Sequence, residues 1–177
     1  MRKSILLGLM LALPLVTHAK VKYEPECKVS GFDNATTCFI KPFGAWVENK
    51  KTILSFVSFG GTWTSVSPDN IGLGIFYGDA LVNIESVSFN IDGKISTFKT
   101  ELMSNKVSTQ GRLSNTTALT IIPIEYLGEI INATEVKYRV TTISDGYREG
   151  TLNGSKGESP AFQALKGIYN SAKKGSS

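Results

Sequence analysis

Chemistry at a protein site needs nucleophiles, bases or metal ligands within reach of one another, and this chain has few of them. Its one histidine, His18, lies in the first nineteen residues. If that stretch is removed, no imidazole remains to activate a serine or cysteine, or to complete a histidine-bearing zinc site. Ser96 and Lys99 have the spacing of a Ser-x-x-Lys dyad. That spacing works on a helical turn, whereas on a strand residues three apart point to opposite faces. Glu125 and Glu129 stand four apart, so on a helix their carboxylates share a side. Such a pair can do acid–base work or hold a cation, and equally can be a solvated helix face. Asp69, Asp79, Asp92 and Asp145 all sit in turn-like sequence, where aspartate bonds its local backbone.

Three further groupings remain. Cys27 and Cys38 are the only cysteines. With no histidine or third cysteine to complete a metal site, they are expected to form a disulfide worth about 3 kcal/mol to a loop of this length. Lys137, Arg139 and Arg148 flank Asp145-Gly146. If that dipeptide closes a two-residue turn, all three basic side chains share one sheet face with Thr141, Ile143 and Leu152. They could meet an anionic protein or glycan, or be the wet side of the sheet. Gly72 and Gly74 alternate with Ile71, Leu73 and Ile75, which leaves one face of that strand as bare backbone. Alternating glycines mark a close approach, either by a flat ligand or, as expected here, by a helix or aromatic side chain. No cofactor and no metal are implied.

Residues 1–19 have the pattern of a cleaved export signal. Arg2 and Lys3 precede an apolar run from Ile5 to Val16, and Thr17-His18-Ala19 ends in small residues. The run is too short to span a bilayer as a helix. The residue right after Ala19 is Lys20 and the first cysteine is Cys27, so a lipid anchor is not expected. A periplasmic or secreted chain from Lys20 to Ser177, not inserted in a membrane, is the expectation. Without Arg2 and Lys3, seventeen basic residues face fifteen acids, a balance of +2. That is too little for nucleic acid, which requires a concentrated basic face.

The elements that must position these residues read as mostly strands. Val82–Lys99 holds two alternating runs around Asp92-Gly93, the signature of a type I′ hairpin. This turn sets Ile91 opposite Lys94, Phe89 opposite Ser96 and Val87 opposite Phe98. Val87, Phe89, Ile91 and Phe98 then form a dry face, and Ile95 is the one apolar residue on the wrong side. Thr37–Val47 carries Pro42 and Gly44 and should be an edge or bent strand. Thr52–Phe59 is nearly continuously apolar and should be a strand buried on both faces. A strand is also expected from Gly111 to Ile122. Pro123 should open a short helix bearing Ile124, Leu127 and Ile131. Asp145-Gly146 should turn a second hairpin. Ser159-Pro160 should cap a terminal helix with Phe162, Leu165, Ile168, Tyr169 and Ala172 on one side, stopped at Gly175.

The expected fold is a single mostly β domain over residues 20–177. It is an antiparallel sandwich or curled sheet, with a short helix and a terminal amphipathic helix packed on it. The expected role is an exported, non-enzymatic binding module of inhibitor, immunity or adaptor type. A histidine-free hydrolase using carboxylates and a surface or pilus assembly subunit are the alternatives.

Overall fold

The computed structural model describes residues 23–110 and 113–175. The expected leader, residues 1–19, and Gly111, where a strand was expected to begin, lie outside the described residues. The strands are β1 (Glu26–Val29), β2 (Thr36–Gly44), β3 (Trp46–Val47), β4 (Val57–Thr64), β5 (Asn70–Gly78), β6 (Ile84–Ile91), β7 (Lys94–Lys99), β8 (Lys106–Gln110), β9 (Leu113–Pro123), β10 (Val136–Thr142) and β11 (Tyr147–Asn153). Helix α1 (Ile124–Asn132) follows β9, and α2 (Pro160–Gly175) ends the described chain. The strands form two antiparallel sheets. The first runs β1-β2-β4-β5-β9-β8, and the second β3-β11-β10-β6-β7.

The β6–β7 ribbon forms as its sequence requires. Asp92 and Gly93 both take positive φ, 48° and 97°, and Ile91↔Lys94, Phe89↔Ser96 and Val87↔Phe98 are paired. Val87 and Phe89 are buried and Ile95 is exposed. The β2 segment bends as expected of a strand containing proline. Its register shifts between Ile40 and Phe43, around Pro42, and past Ala45 the chain leaves the first sheet and enters the second as β3. Sequence reading offered an edge position as the alternative, but β2 lies between β1 and β4. The bulge accommodates the proline inside the sheet.

One expected strand is displaced: β4 is as long as expected but starts five residues later and runs through Gly60 and Gly61 to Thr64. Thr52–Phe56 is not extended, and β4 begins only at Val57. Ile53 is 93% exposed despite the apolar run around it. Partners far off in sequence hold this loop. Lys51 bonds the Asp145 carboxylate at 2.7 Å, Thr52 donates to Asp79, and the Phe56 carbonyl accepts from Gly78 N–H at 2.9 Å.

The inner faces of the two sheets meet through Phe59 of β4, whose ring lies 5.1 Å from that of Tyr138 and 6.0 Å from that of Phe89. Burying such aromatic pairs contributes about 0.5–1.5 kcal/mol each beyond their area. Ser159 caps α2, its Oγ accepting the Phe162 N–H at 3.2 Å. Phe162, Leu165, Ile168 and Ala172 are fully buried, and Tyr169 packs at the margin. The helix lies over β2 and β4. A β-carbon on Gly61 would stand 3.1 Å from Ile168 Cγ2, so the missing side chain lets the helix seat closely. Helix α1 follows Pro123 directly, burying Ile124, Leu127 and Ile130 and leaving Glu125 and Glu129 exposed.

Candidate functional site

The outer face of the second sheet is built in rows across four strands. Ile95, Asn90 and Lys137 form one row, and Thr97, Ser88, Arg139 and Glu149 the next. Lys99, Ser86, Thr141 and Tyr147 form a third. Short side chains in the centre and long ones at the side leave a shallow depression of about 200 Å³. Ser88, Asn90, Ile95, Lys137, Arg139 and Glu149 line it, with parts of Phe89 and Tyr138 at its base. Ser88 and Thr97 share a 2.7 Å hydrogen bond across the strands. Arg139 makes two bonds to the Glu149 carboxylate, Nε at 3.0 Å and Nη2 at 2.7 Å, and lies 4.5 Å from the Tyr147 ring. Lys137 is 3.3 Å from the Glu135 carboxylate. Both ion pairs are open to solvent, so they hold the bases loosely and leave their charge accessible.

Two of the three basic residues expected on this face, Lys137 and Arg139, are therefore there. Arg148 is not. Val140 pairs with Arg148, and Arg139 with Glu149, a register offset by three residues from that of a two-residue Asp145-Gly146 turn. An odd offset exchanges the two faces of a strand. Leu152, expected beside the bases, is likewise in the core, and Arg148 is 1% exposed. The cause is local. A type I′ turn needs positive φ at both central residues. Here Gly146 has φ 74° and Asp145 does not adopt positive φ. Thr142 closes a wider loop instead, its N–H and hydroxyl both donating to the Gly146 carbonyl and its Oγ accepting from Asp145 N–H.

Inside, Arg148 Nη1 donates to the carbonyls of Gly78 and Phe56, and its guanidinium lies 3.8 Å over the Tyr77 ring. The Tyr77 hydroxyl donates to Asp145 Oδ2 at 3.1 Å. Burial pushes the Tyr77 phenol up to about 12, so it stays protonated as that donor. The Lys51 hydrogen bond, then those of Tyr77 and the nearby positive charge of Arg148, hold the Asp145 carboxyl below its ordinary value. The group ties β5, β11 and the 51–56 loop together, so Arg148 is a structural cation.

Compared with known proteins, the chain matches no family model, no curated protein and no solved structure.

The remaining candidates fall in separate places. Cys27 and Cys38 are directly opposite on β1 and β2 and form the expected disulfide. Ser96 and Lys99 lie on β7, paired with Phe89 and Ser86 respectively, which puts them on opposite faces as strand geometry demands. Glu125 and Glu129 share the exposed side of α1. The expectation that a helix or aromatic ring covers Gly72 and Gly74 is corrected. A β-carbon on Gly72 would meet Leu119 and Thr62, and one on Gly74 only a carbonyl 4.0 Å away. Helix α2 lies on the other face of that sheet, and the ring that does press on this strand, Phe56, lies against Gly78. Of the residues lining the depression, sequence reading passed over Ser88, Asn90 and Glu149. The one signal available was Ile95, the apolar residue on the wet face.

Proposed function

We propose that this chain is an exported, non-enzymatic binding module, of inhibitor, immunity or adaptor type, that holds an anionic partner on the outer face of its second sheet. The observation that carries the reading is the depression lined by Ser88, Asn90, Ile95, Lys137, Arg139 and Glu149. It combines short hydrogen-bonding side chains, one apolar contact and two accessible cations on a regular ribbon. The Cys27–Cys38 disulfide supports export, since such bonds persist in oxidising compartments. The cations act mainly on encounter and register, as charges at the rim of an interface do.

The test is retention on a polyglutamate matrix at low and high salt. Lys137→Gln with Arg139→Gln should elute earlier at low salt and lose the salt dependence, with its melting temperature unchanged. Identical retention of the double variant would end the reading. Arg148 is left intact because it belongs to the core.

A further inference from the structure

The second sheet ends at β7, and the character of that edge narrows the partner. Exposed edges are templates for further strands, and proteins usually blunt them by shortness, bulges, proline or charge. The other edges among the described residues are shorter: β1 has four residues, β3 two and β8 five. β7 has six, contains no proline and pairs with β6 without a register shift. Lys94 and Lys99 at its ends have no acidic partner within ion-pair distance among the described residues. Between them stands Ile95, 68% exposed.

The turn fixes which backbone groups are free. In a two-residue hairpin the residues flanking the turn, Ile91 and Lys94, exchange both hydrogen bonds, and the bonded pairs then alternate. The N–H and C=O of Lys94, Ser96 and Phe98 therefore point to β6, and those of Ile95, Thr97 and Lys99 point outward. Two contacts agree with this phase. The Lys99 carbonyl accepts from Thr120 Oγ1 at 2.7 Å, away from β6, and Thr100 N–H donates to Glu85 O at 3.0 Å, toward it. The Lys99 contact closes one end of the edge, and Ile95 and Thr97 stay open. Their side chains lie on the face that carries Lys137 and Arg139.

We infer that β7 is a docking edge, to which an extended acidic segment of a partner protein adds as a further strand of the second sheet. This rests on the reading of that face as an anion-binding surface and selects a protein over a glycan. Main-chain bonds to Ile95 and Thr97 supply affinity, and alternate side chains of the added strand supply specificity. Those on the outer face reach Ile95, and Lys137, three strand spacings or about 14 Å from the added strand, attracts its carboxylates at longer range.

The probe is an acidic synthetic peptide of alternating glutamate and threonine, measured against a sulfated polysaccharide. Thr97→Pro removes one outward N–H, which the β6 ladder does not use. It should weaken peptide binding about tenfold or more and leave polysaccharide binding as in the wild type, whereas Thr97→Ala should bind both normally. In the unsubstituted protein, peptide should slow amide exchange at Ile95 and Thr97, which requires no variant to fold. Equal peptide binding by Thr97→Pro, no added protection at those two amides, or no peptide binding at about millimolar concentration would each overturn the docking edge. The reading of the face fails separately. If Lys137→Gln with Arg139→Gln binds both probes normally while Thr97→Pro loses the peptide, the edge stands and the basic face does not.

Discussion

The two Asp-Gly hairpins of the second sheet share a dipeptide and differ in everything it was expected to fix. At Asp92-Gly93 both residues enter the left-handed region, the turn has two residues, and the pairing follows from the sequence alone. The Asp92 carboxylate then reaches across to the N–H groups of Thr134 and Glu135, at the approach to β10. At Asp145-Gly146 the aspartate is held by Lys51 and Tyr77, and Thr142 closes a wider loop around it. The dipeptide marks a turn in both cases. Which pair closes it follows from the backbone: Asp92 takes positive φ together with Gly93, whereas at the second hairpin only Gly146 does, and Arg148 passes from the surface to the core.

The largest effect should come from breaking that difference at Arg148. Arg148→Ala leaves the Gly78 and Phe56 carbonyls without their donor and opens a void against Tyr77. It should cost about 3–5 kcal/mol in denaturant unfolding, against under about 0.5 kcal/mol for Arg139→Ala on the outer face. Equal costs for the two variants would mean that the hairpin register is wrong.

The turns themselves come next. Gly93→Ala and Gly146→Ala each force an L-residue to positive φ, and each should cost about 1–2 kcal/mol. Asp92→Ala should add a penalty of similar size, while Asp145→Ala should not introduce backbone strain, because only Asp92 has positive φ. Matched melting curves of the four variants would show whether the asymmetry holds.

A smaller effect depends on pH. The Asp145 carboxyl is held low in the folded chain, chiefly by its hydrogen bond to Lys51. Its contribution is therefore complete above the unfolded value, near 3.9, and is lost as pH falls through the lower folded value. Asp145→Asn should be less stable than the parent near neutrality by about 1 kcal/mol or less, with the gap closing in strong acid. A gap that widens with acid would contradict the arrangement. The smallest effect is that of Lys137→Gln with Arg139→Gln on stability, expected to be under about 0.5 kcal/mol by thermal unfolding. That change matters only for binding.

Features governed by neighbours in sequence could be read from it. The β6–β7 register, the Ser159 cap, the buried stripe of α2 and the Cys27–Cys38 pair each depend on spacing over a few residues or on a forced choice of partner. Features governed by distant partners could not. Ile53 and Leu54 look like strand residues until Lys51 and Thr52 are tied to Asp145, in the loop between β10 and β11, and Asp79, just past β5. Gly72 and Gly74 announced a close approach, but the glycine that admits the helix is Gly61, beneath Ile168. Half of the candidate site was visible for the same reason. Lys137 and Arg139 lie on the side of β10 opposite Val136, Tyr138 and Val140, whatever the turn does, whereas the position of Arg148 depends on how the turn closes.

The order of strands in the first sheet has a consequence for how the chain reaches this state. β5 has β9 as its outer neighbour, and residues 79–112, including the whole β6–β7 ribbon, lie between them in sequence. Pairing across such an interval is slow relative to closing a hairpin. In a chain made from its N-terminus, β1, β2, β4 and β5, which pair in sequence order, are all complete before the ribbon and β9. Until β9 arrives, β5 is a sheet edge carrying Ile71, Leu73, Ile75 and Tyr77, with glycine between the first three. The native protein has no such apolar edge at that position. The nascent chain does, and that interval is when self-association competes most strongly with folding.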